Sequence, residues 1–192
     1  SLPIDIQRNI SLGLTLLKED GSPLPSLSTH WKVDEKGLVW TFYLRNDVVW
    51  HNGKKFNAQD INYKLSGTEF IPINDSTIAV NLKEKYAPLP VVLSQPIFKS
   101  NLMGLGVYKV VKLQRSGEAI TELLLEPQLK NLPTLSYKFY SNLDEAVLAF
   151  KLGEIDVLQD LTRVNDVATW NNINITQLTE YDKFVGLFLA SI

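Results

Sequence analysis

The chain has 192 residues, 45% of them hydrophobic and 21% charged, an ordinary balance for a globular domain, and it is long enough to bury about 70% of its unfolded surface without a metal or disulfide staple. Its 19 basic and 21 acidic residues leave a net charge of -2, and with no basic run present a nucleic-acid partner is not expected. The absence of cysteine removes a disulfide framework, a thiolate zinc site and a cysteine nucleophile together.

No run of about 18 apolar residues exists, so no membrane-spanning helix is expected. Ser1-Leu2-Pro3 opens without a basic and then apolar leader, so any export signal is expected to have been removed or left out. Residues 10–17 form a nearly continuous apolar run broken by Gly13, which predicts a buried strand. Residues 18–25 hold Asp20-Gly21 and two prolines and read as a turn and irregular link. A hairpin comes next. With residues 34–37 as a four-residue loop, Val33 pairs with Leu38 and Trp31 with Trp40. Trp31, Val33, Leu38, Trp40, Phe42 and Leu44 then share one face, and a one-residue slip would reverse it.

Residues 57–65 predict a helix opened by a capping-box pair, with Asn57 as N-cap and Asp60 three residues on. Ala58, Ile61 and Leu65 would be its buried stripe. Residues 77–82 alternate as a strand, and Pro88, Pro90 and Pro96 punctuate the next segment. Residues 107–113 and 120–126 predict a hairpin around Arg115-Ser116-Gly117. Residues 135–140 predict a strand. Asn142 caps a helix with Glu145 at its third position, Leu143, Ala146, Val147 and Phe150 at helical spacing, and Gly153 placed to end it. A short strand over 155–158, a helix over 162–170 and two closing strands complete the reading. A strand–helix–strand unit of this kind favours a parallel pair.

One stretch is far more specific than any single glycine motif. Trp40-Thr41-Phe42-Tyr43-Leu44-Arg45, then Trp50-His51-Asn52-Gly53, then Ala58-Gln59-Asp60 resemble the W/Y-T-F-x-L-R run, the W/F-x-D/N-G turn and the T-A-x-D helix start of extracellular solute-binding proteins of peptide, dipeptide and nickel ABC importers. Ser11-Leu12-Gly13-Leu14 resembles that family's first core strand, Pro25 to Trp31 its P-x-L-A-x-x-W segment, and Gly104-Leu105-Gly106-Val107-Tyr108-Lys109-Val110 its G-T-G-P-Y-K-L segment, with Val107 where proline is usual. Lys151-Leu152-Gly153-Glu154-Ile155-Asp156 is similar to its S-G-E-I-D, and residues 184–190 to the strand that leads to the hinge. The resemblance implies an α/β fold, a lobe like that of a type II periplasmic binding protein, with a mixed sheet flanked by helices. It implies one lobe over residues 1–192, a variable subdomain reduced to a connector near 66–76, and the second lobe, which normally follows the hinge strand, absent. Ala190 and Ser191 stand where relatives carry a cleft-facing asparagine.

The resemblance further implies non-covalent binding of a peptide or other small solute by hinge closure, with a membrane permease as partner. It implies an extracellular or periplasmic, membrane-tethered, monomeric receptor without cofactor. Its candidate ligand-binding residues are Ser11, Leu12, Gly13, Leu14, Gly104, Gly106 and Tyr108. For Gly13 the competing reading is a bulge or close packing in a buried strand. For Gly104 and Gly106 it is a turn where the chain crosses between subdomains.

The remaining polar residues have plain structural readings. His30 and His51 are the only histidines; neither has the ligand cluster a metal site needs, and His51 reads as a solvated turn residue. No G-x-S-x-G elbow or Ser/His/Asp arrangement is evident, so no enzyme is expected. Trp31, Trp40 and Phe42 read as hairpin core, Trp50 as edge cover, and Trp170 as partly exposed. The alternative function is a sensory or protein-interaction module that keeps the lobe fold without transport.

Overall fold

Alternating apolar residues in Trp40, Phe42 and Leu44 give one strand a fully buried face, and the fold is assembled on it. The computed structural model describes residues 2–159 and 173–176. The chain divides into two compact units, Ser1–Phe139 and Tyr140–Ile192.

The first unit begins with helix α1 (Ile4–Ile10), followed by β1 (Thr15–Leu17), β2 (Pro23–Pro25), β3 (Ser28–Val33) and β4 (Val39–Leu44). After a single 3-10 turn at Ala58–Asp60 come β5 (Thr68–Asn74), β6 (Thr77–Leu82), the short helix α2 (Leu89–Val92), β7 (Tyr108–Ser116), β8 (Ala119–Pro127) and β9 (Leu135–Lys138). These strands form a β1-β2 ribbon, a four-stranded sheet ordered β3-β4-β6-β5, and a three-stranded sheet ordered β7-β8-β9. Every pairing among the described residues is antiparallel, so the parallel pair expected of a mixed sheet is not among them, and the described strands fall into three sheets.

Two cores sit in this unit. The first lies on the inner face of the four-stranded sheet and gathers Leu14, Leu27, Trp40, Phe42, Trp50, Phe56, Ile78 and Leu93. The second joins Leu2, Ile6 and Ile10 of the N-terminal segment to Tyr108, Leu123 and Leu125. The second unit contributes α3 (Leu143–Lys151), where the Asn142 side chain accepts from the Glu145 N–H, and Gly153 follows at a φ of 72°. Both helix signals are as expected. Of the apolar side chains along α3, Ala149 is the buried one, whereas Leu143, Ala146, Val147 and Phe150 are half-buried.

The hairpin keeps its predicted facing by a different pairing. Val33 lies opposite Trp40 and Trp31 opposite Phe42. The loop has four residues but starts one position later, because Asp34 pairs with Val39 through its N–H and its carboxylate accepts from the Leu38 and Val39 N–H groups at 2.8 and 2.9 Å. Sliding the loop by one position changes the pairing by two, and side chains alternate with period two, so Trp31, Val33, Trp40, Phe42 and Leu44 still share one face, although Val33 at its end is exposed. Trp31 and Trp40 both pack on Phe42, with ring centroids 5.9 and 6.5 Å away.

Several other expectations change. Residues 10–17 do not make one strand: Ile10 ends α1, residues 11–14 run buried without strand pairing, and only Thr15–Leu17 joins a sheet. The link at 18–25 contains β2. The capping box at Asn57 and Asp60 is present, with the Asn57 side chain accepting from the Gln59 N–H, but the helix stops after one turn. Ile61 turns extended, at ψ 116°, and the Tyr63 hydroxyl is engaged with residues 14, 93 and 95; these tertiary bonds outweigh weak helix propensity. The connector near 66–76 forms β5, an edge strand with Ile71 and Ile73 exposed and a register shift between Pro72 and Asn74. The strand expected at 135–140 is shorter, and residues 155–158 form none. The helix over 162–170, the closing strands and Trp170 lie outside the described residues.

Trp40 is 9% exposed and Val33 47%. Trp40→Ala should therefore cost about 3–5 kcal/mol and Val33→Ala about 1 kcal/mol or less, read as the shift in urea midpoint at constant slope.

Candidate functional site

Three stretches of backbone meet without side chains between them. A Cβ on Gly13 would lie 2.6 Å from the Leu93 carbonyl oxygen, one on Gly104 2.0 Å from the Ile10 oxygen, and one on Gly106 2.6 Å from the Asn9 oxygen. None of these three needs a left-handed backbone. Glycine is required because a neighbouring main chain occupies the side-chain volume. Residues 9–14, 93–97 and 104–106 therefore form a backbone crossing.

Hydrogen bonds fasten it. The Gly106 N–H donates to the Ile10 carbonyl at 2.9 Å and the Ile97 N–H to the Leu12 carbonyl at 3.0 Å. The Ser11 hydroxyl, fully buried, donates to the Ile97 carbonyl and accepts from the Leu105 N–H at 3.2 Å. The Tyr63 hydroxyl accepts from the Leu14 N–H at 3.2 Å and faces the Leu93 and Gln95 carbonyls at 2.9 and 2.7 Å. Burial pushes its acidity far below that of a free phenol.

His51 is not a solvated turn residue. It is half-buried, its N–H donates to the Gly104 carbonyl at 3.1 Å, and its imidazole spans two glycines. Nδ1 lies 3.3 Å from the Gly104 N–H and Nε2 3.0 Å from the Gly106 carbonyl oxygen. An N–H can only donate and a carbonyl can only accept, so the ring is neutral with its proton on Nε2. Burial pulls the imidazole below its ordinary value, the Gly106 carbonyl opposes that, and the positive charge of Lys109 adds to the lowering.

The turn before it is anchored by Trp50, which is 1% exposed. Its indole N–H donates to Asp60 Oδ2 at 2.8 Å, Asp60 Oδ1 meets Lys99 Nζ at 2.6 Å, and the same ammonium lies 4.4 Å from the Trp50 ring centroid. Burial raises the Asp60 carboxyl, but the Lys99 ion pair and the N–H groups of Trp50 and Asn57 outweigh it and hold it below its usual value. Trp50 and Asp60 thus connect two of the matched sequence motifs through one carboxylate.

Beside the crossing lies an open cavity of about 280 Å³, lined by Leu12, Arg45, Asp47, Val48, Val49, Trp50, His51, Leu105, Gly106 and Gln128. Arg45 and Asp47 are paired at its rim at 2.6 Å. Of the seven candidate residues, Leu12 and Gly106 line this cavity, Ser11, Gly13, Leu14 and Gly104 lie buried in the crossing behind it, and the Tyr108 ring sits in the second core at 6% exposure. The part of His51 had one sequence clue, its fixed place before Asn52-Gly53; its partners are some fifty residues away. Among the described residues no group of three His, Cys, Asp or Glu side chains comes together, and no helix is long and apolar enough to cross a membrane.

Residues 22–190 match the family described as bacterial extracellular solute-binding proteins, family 5 Middle. The chain belongs to that family of solute-binding proteins. The HTH-type transcriptional regulator SgrR of Pectobacterium atrosepticum is 35% identical over 89 residues, 46% of this chain and 15% of that protein. The periplasmic oligopeptide-binding protein OppA of Escherichia coli is 37% identical over 59 residues, 31% of this chain and 11% of that protein. The crystal structure of NikZ from Campylobacter jejuni in complex with Ni(L-His) superposes with a TM-score of 0.65 at 24% identity, over 77% of this chain and 37% of that one. The fold is that of type II periplasmic binding proteins, and this chain spans well under half the length of these relatives.

The geometry sets two tests. Gly104→Ala should destabilise by about 1–3 kcal/mol through overpacking, whereas Gly21→Asn, at a φ of 78° with open space around it, should cost about 1 kcal/mol or less because asparagine tolerates that conformation. Asp60, held below its usual value, contributes stability that is complete above the unfolded carboxyl range near 3.8 and is lost as pH falls through the folded value. Asp60→Asn should flatten that acid limb of a denaturation series, and an unchanged limb would refute the assignment.

Proposed function

We propose that this chain is the first lobe of a receptor that delivers peptides or peptide-like solutes to the permease of an ABC importer. Binding is non-covalent and without turnover, a second lobe closes over the solute by a hinge, and the receptor works outside the cytoplasmic membrane, tethered to it, as a monomer. The observation that carries the site is at Leu12. It lines the cavity, and its N–H has no partner among the described residues while its carbonyl is taken by Ile97. A free main-chain donor at a cavity wall suits a ligand with a peptide backbone, recognised without reading its side chains. The similarity to an oligopeptide-binding protein supports the same solute class. Ser11, Gly13, Leu14, Gly104 and Tyr108 act behind this surface, by fixing where Leu12 and Gly106 stand.

A second reading is a sensory module that keeps the lobe without transport. It is favoured by the match of 46% of the chain to a transcriptional regulator.

One lobe leaves half of a bound peptide in water, so its polar groups exchange solvent for protein with little net gain while the ordering cost remains. The chain by itself should bind tri- to pentapeptides with dissociation constants of about 1 mM or weaker, roughly -4 kcal/mol. Amide shifts on titration with a mixed peptide library should centre on Leu12 and Gly106. Saturable micromolar binding, or shifts that leave both residues silent, would sink this reading.

A further inference from the structure

The His51 imidazole fastens two turns of the backbone crossing at once. On one edge it takes the Gly104 N–H and on the other it gives a proton to the Gly106 carbonyl. Both glycines are pressed on residues 9–11 with no side-chain volume to spare, and the ring closes on that segment from the cavity side. It forms part of the cavity wall together with Leu105 and Gly106.

We infer that His51 is an acid-labile positioning residue: the neutral ring holds residues 104–106 against residues 9–11, and its protonation releases Gly104 and loosens the wall that a ligand meets. The chemistry is a change from acceptor to donor. A second proton can only go on Nδ1, which then points an N–H at the Gly104 N–H. The bond to the Gly106 carbonyl survives; the bond from Gly104 becomes a repulsion. Of the surroundings, only the Gly106 carbonyl favours the cation, and burial works against it. Lys109 on β7 is positive, and Arg45 and Asp47, at the cavity rim after β4, are already paired with each other. The rest of the lining, which includes Leu12, Val48, Val49, Trp50, Leu105 and Gln128, carries no charge.

The folded imidazole value lies below the unfolded one. The contribution of His51 is therefore complete above the unfolded range, near 6.5, and is lost as pH falls through that range towards the folded value. This is a separate window from that of Asp60, which lies lower.

The latch can be tested without any ligand, whereas its effect on binding rests on the peptide-receptor reading above. In the intact chain, imidazole nitrogen shifts should show the Nε2–H tautomer at neutral pH. Hydrogen exchange at Gly104 and Gly106, corrected for intrinsic rates, should lose about threefold or more protection between about pH 7.5 and pH 5. His51→Gln places an uncharged amide near the Nε2 position, so its protection at those glycines should not change over the same range. An Nδ1–H tautomer, a ring that titrates above its ordinary value, or equal acid sensitivity in His51→Gln would overturn the latch. The imidazole shifts decide the matter even if that variant does not fold. For peptides that shift Leu12, affinity should fall about threefold or more in acid for the wild type alone. An affinity independent of pH, with an intact latch, would overturn the positioning role. Peptide binding whose shifts leave Leu12 and Gly106 silent at every pH would overturn the receptor reading and leave the latch to be judged by exchange.

Discussion

The close approach of three main chains, residues 9–14, 93–97 and 104–106, is the constraint on which the rest of the first unit depends. Backbone in van der Waals contact with backbone leaves no room for a Cβ, so Gly13, Gly104 and Gly106 are fixed by space. It also buries peptide groups that must be satisfied. Ser11, Tyr63 and His51 supply the side-chain partners: Ser11 bonds residues 97 and 105, Tyr63 residues 14, 93 and 95, and His51 residues 104 and 106. The two cores meet the crossing from either side: Leu14 and Leu93 belong to one, Ile10 and Tyr108 to the other. A shift of the crossing would therefore disturb both cores, which makes it a rigid place on which to build a binding surface.

What the sequence disclosed depended on how local the cause was. The Asn57 and Asn142 caps, the Gly117 turn and the Gly153 stop are set within a few residues, and all four are where the pattern puts them. The hairpin face was legible because alternation fixes parity, but its pairing turned on the Asp34 carboxylate gathering two N–H groups, which no periodicity encodes. Helix α1 was missed: seven residues carry isoleucine at positions 4, 6 and 10, a spacing that suits a strand start as well as a helix. Within the run at 10–17 most residues are buried but Leu16 is exposed, and burial alone does not say whether a neighbour lies at pairing distance or across a crossing.

The candidate site divides in the same way. Family likeness located its segments, and the backbone crossing explains why glycine stands at three of the seven positions. Tyr108 belongs to the hydrophobic interior, because the strand following Gly106 alternates into the second core. Its tie to the site is through the chain. His51 was read as a turn residue because its neighbours in sequence are turn formers. Its two partners come from the crossing segment about fifty residues on, and such a meeting is visible only in three dimensions.

Strand β5 has a bearing on how the molecule behaves in a crowded solution. It is the outer strand of its sheet, with Ile71 and Ile73 exposed, and a long flat strand of that kind would template pairing with another chain. Pro72 stands between the two isoleucines and brings no N–H to such a pairing, and the register breaks directly after it. The edge is sticky in side chains but interrupted by a proline and a register break, which disfavours the addition of a further strand at β5.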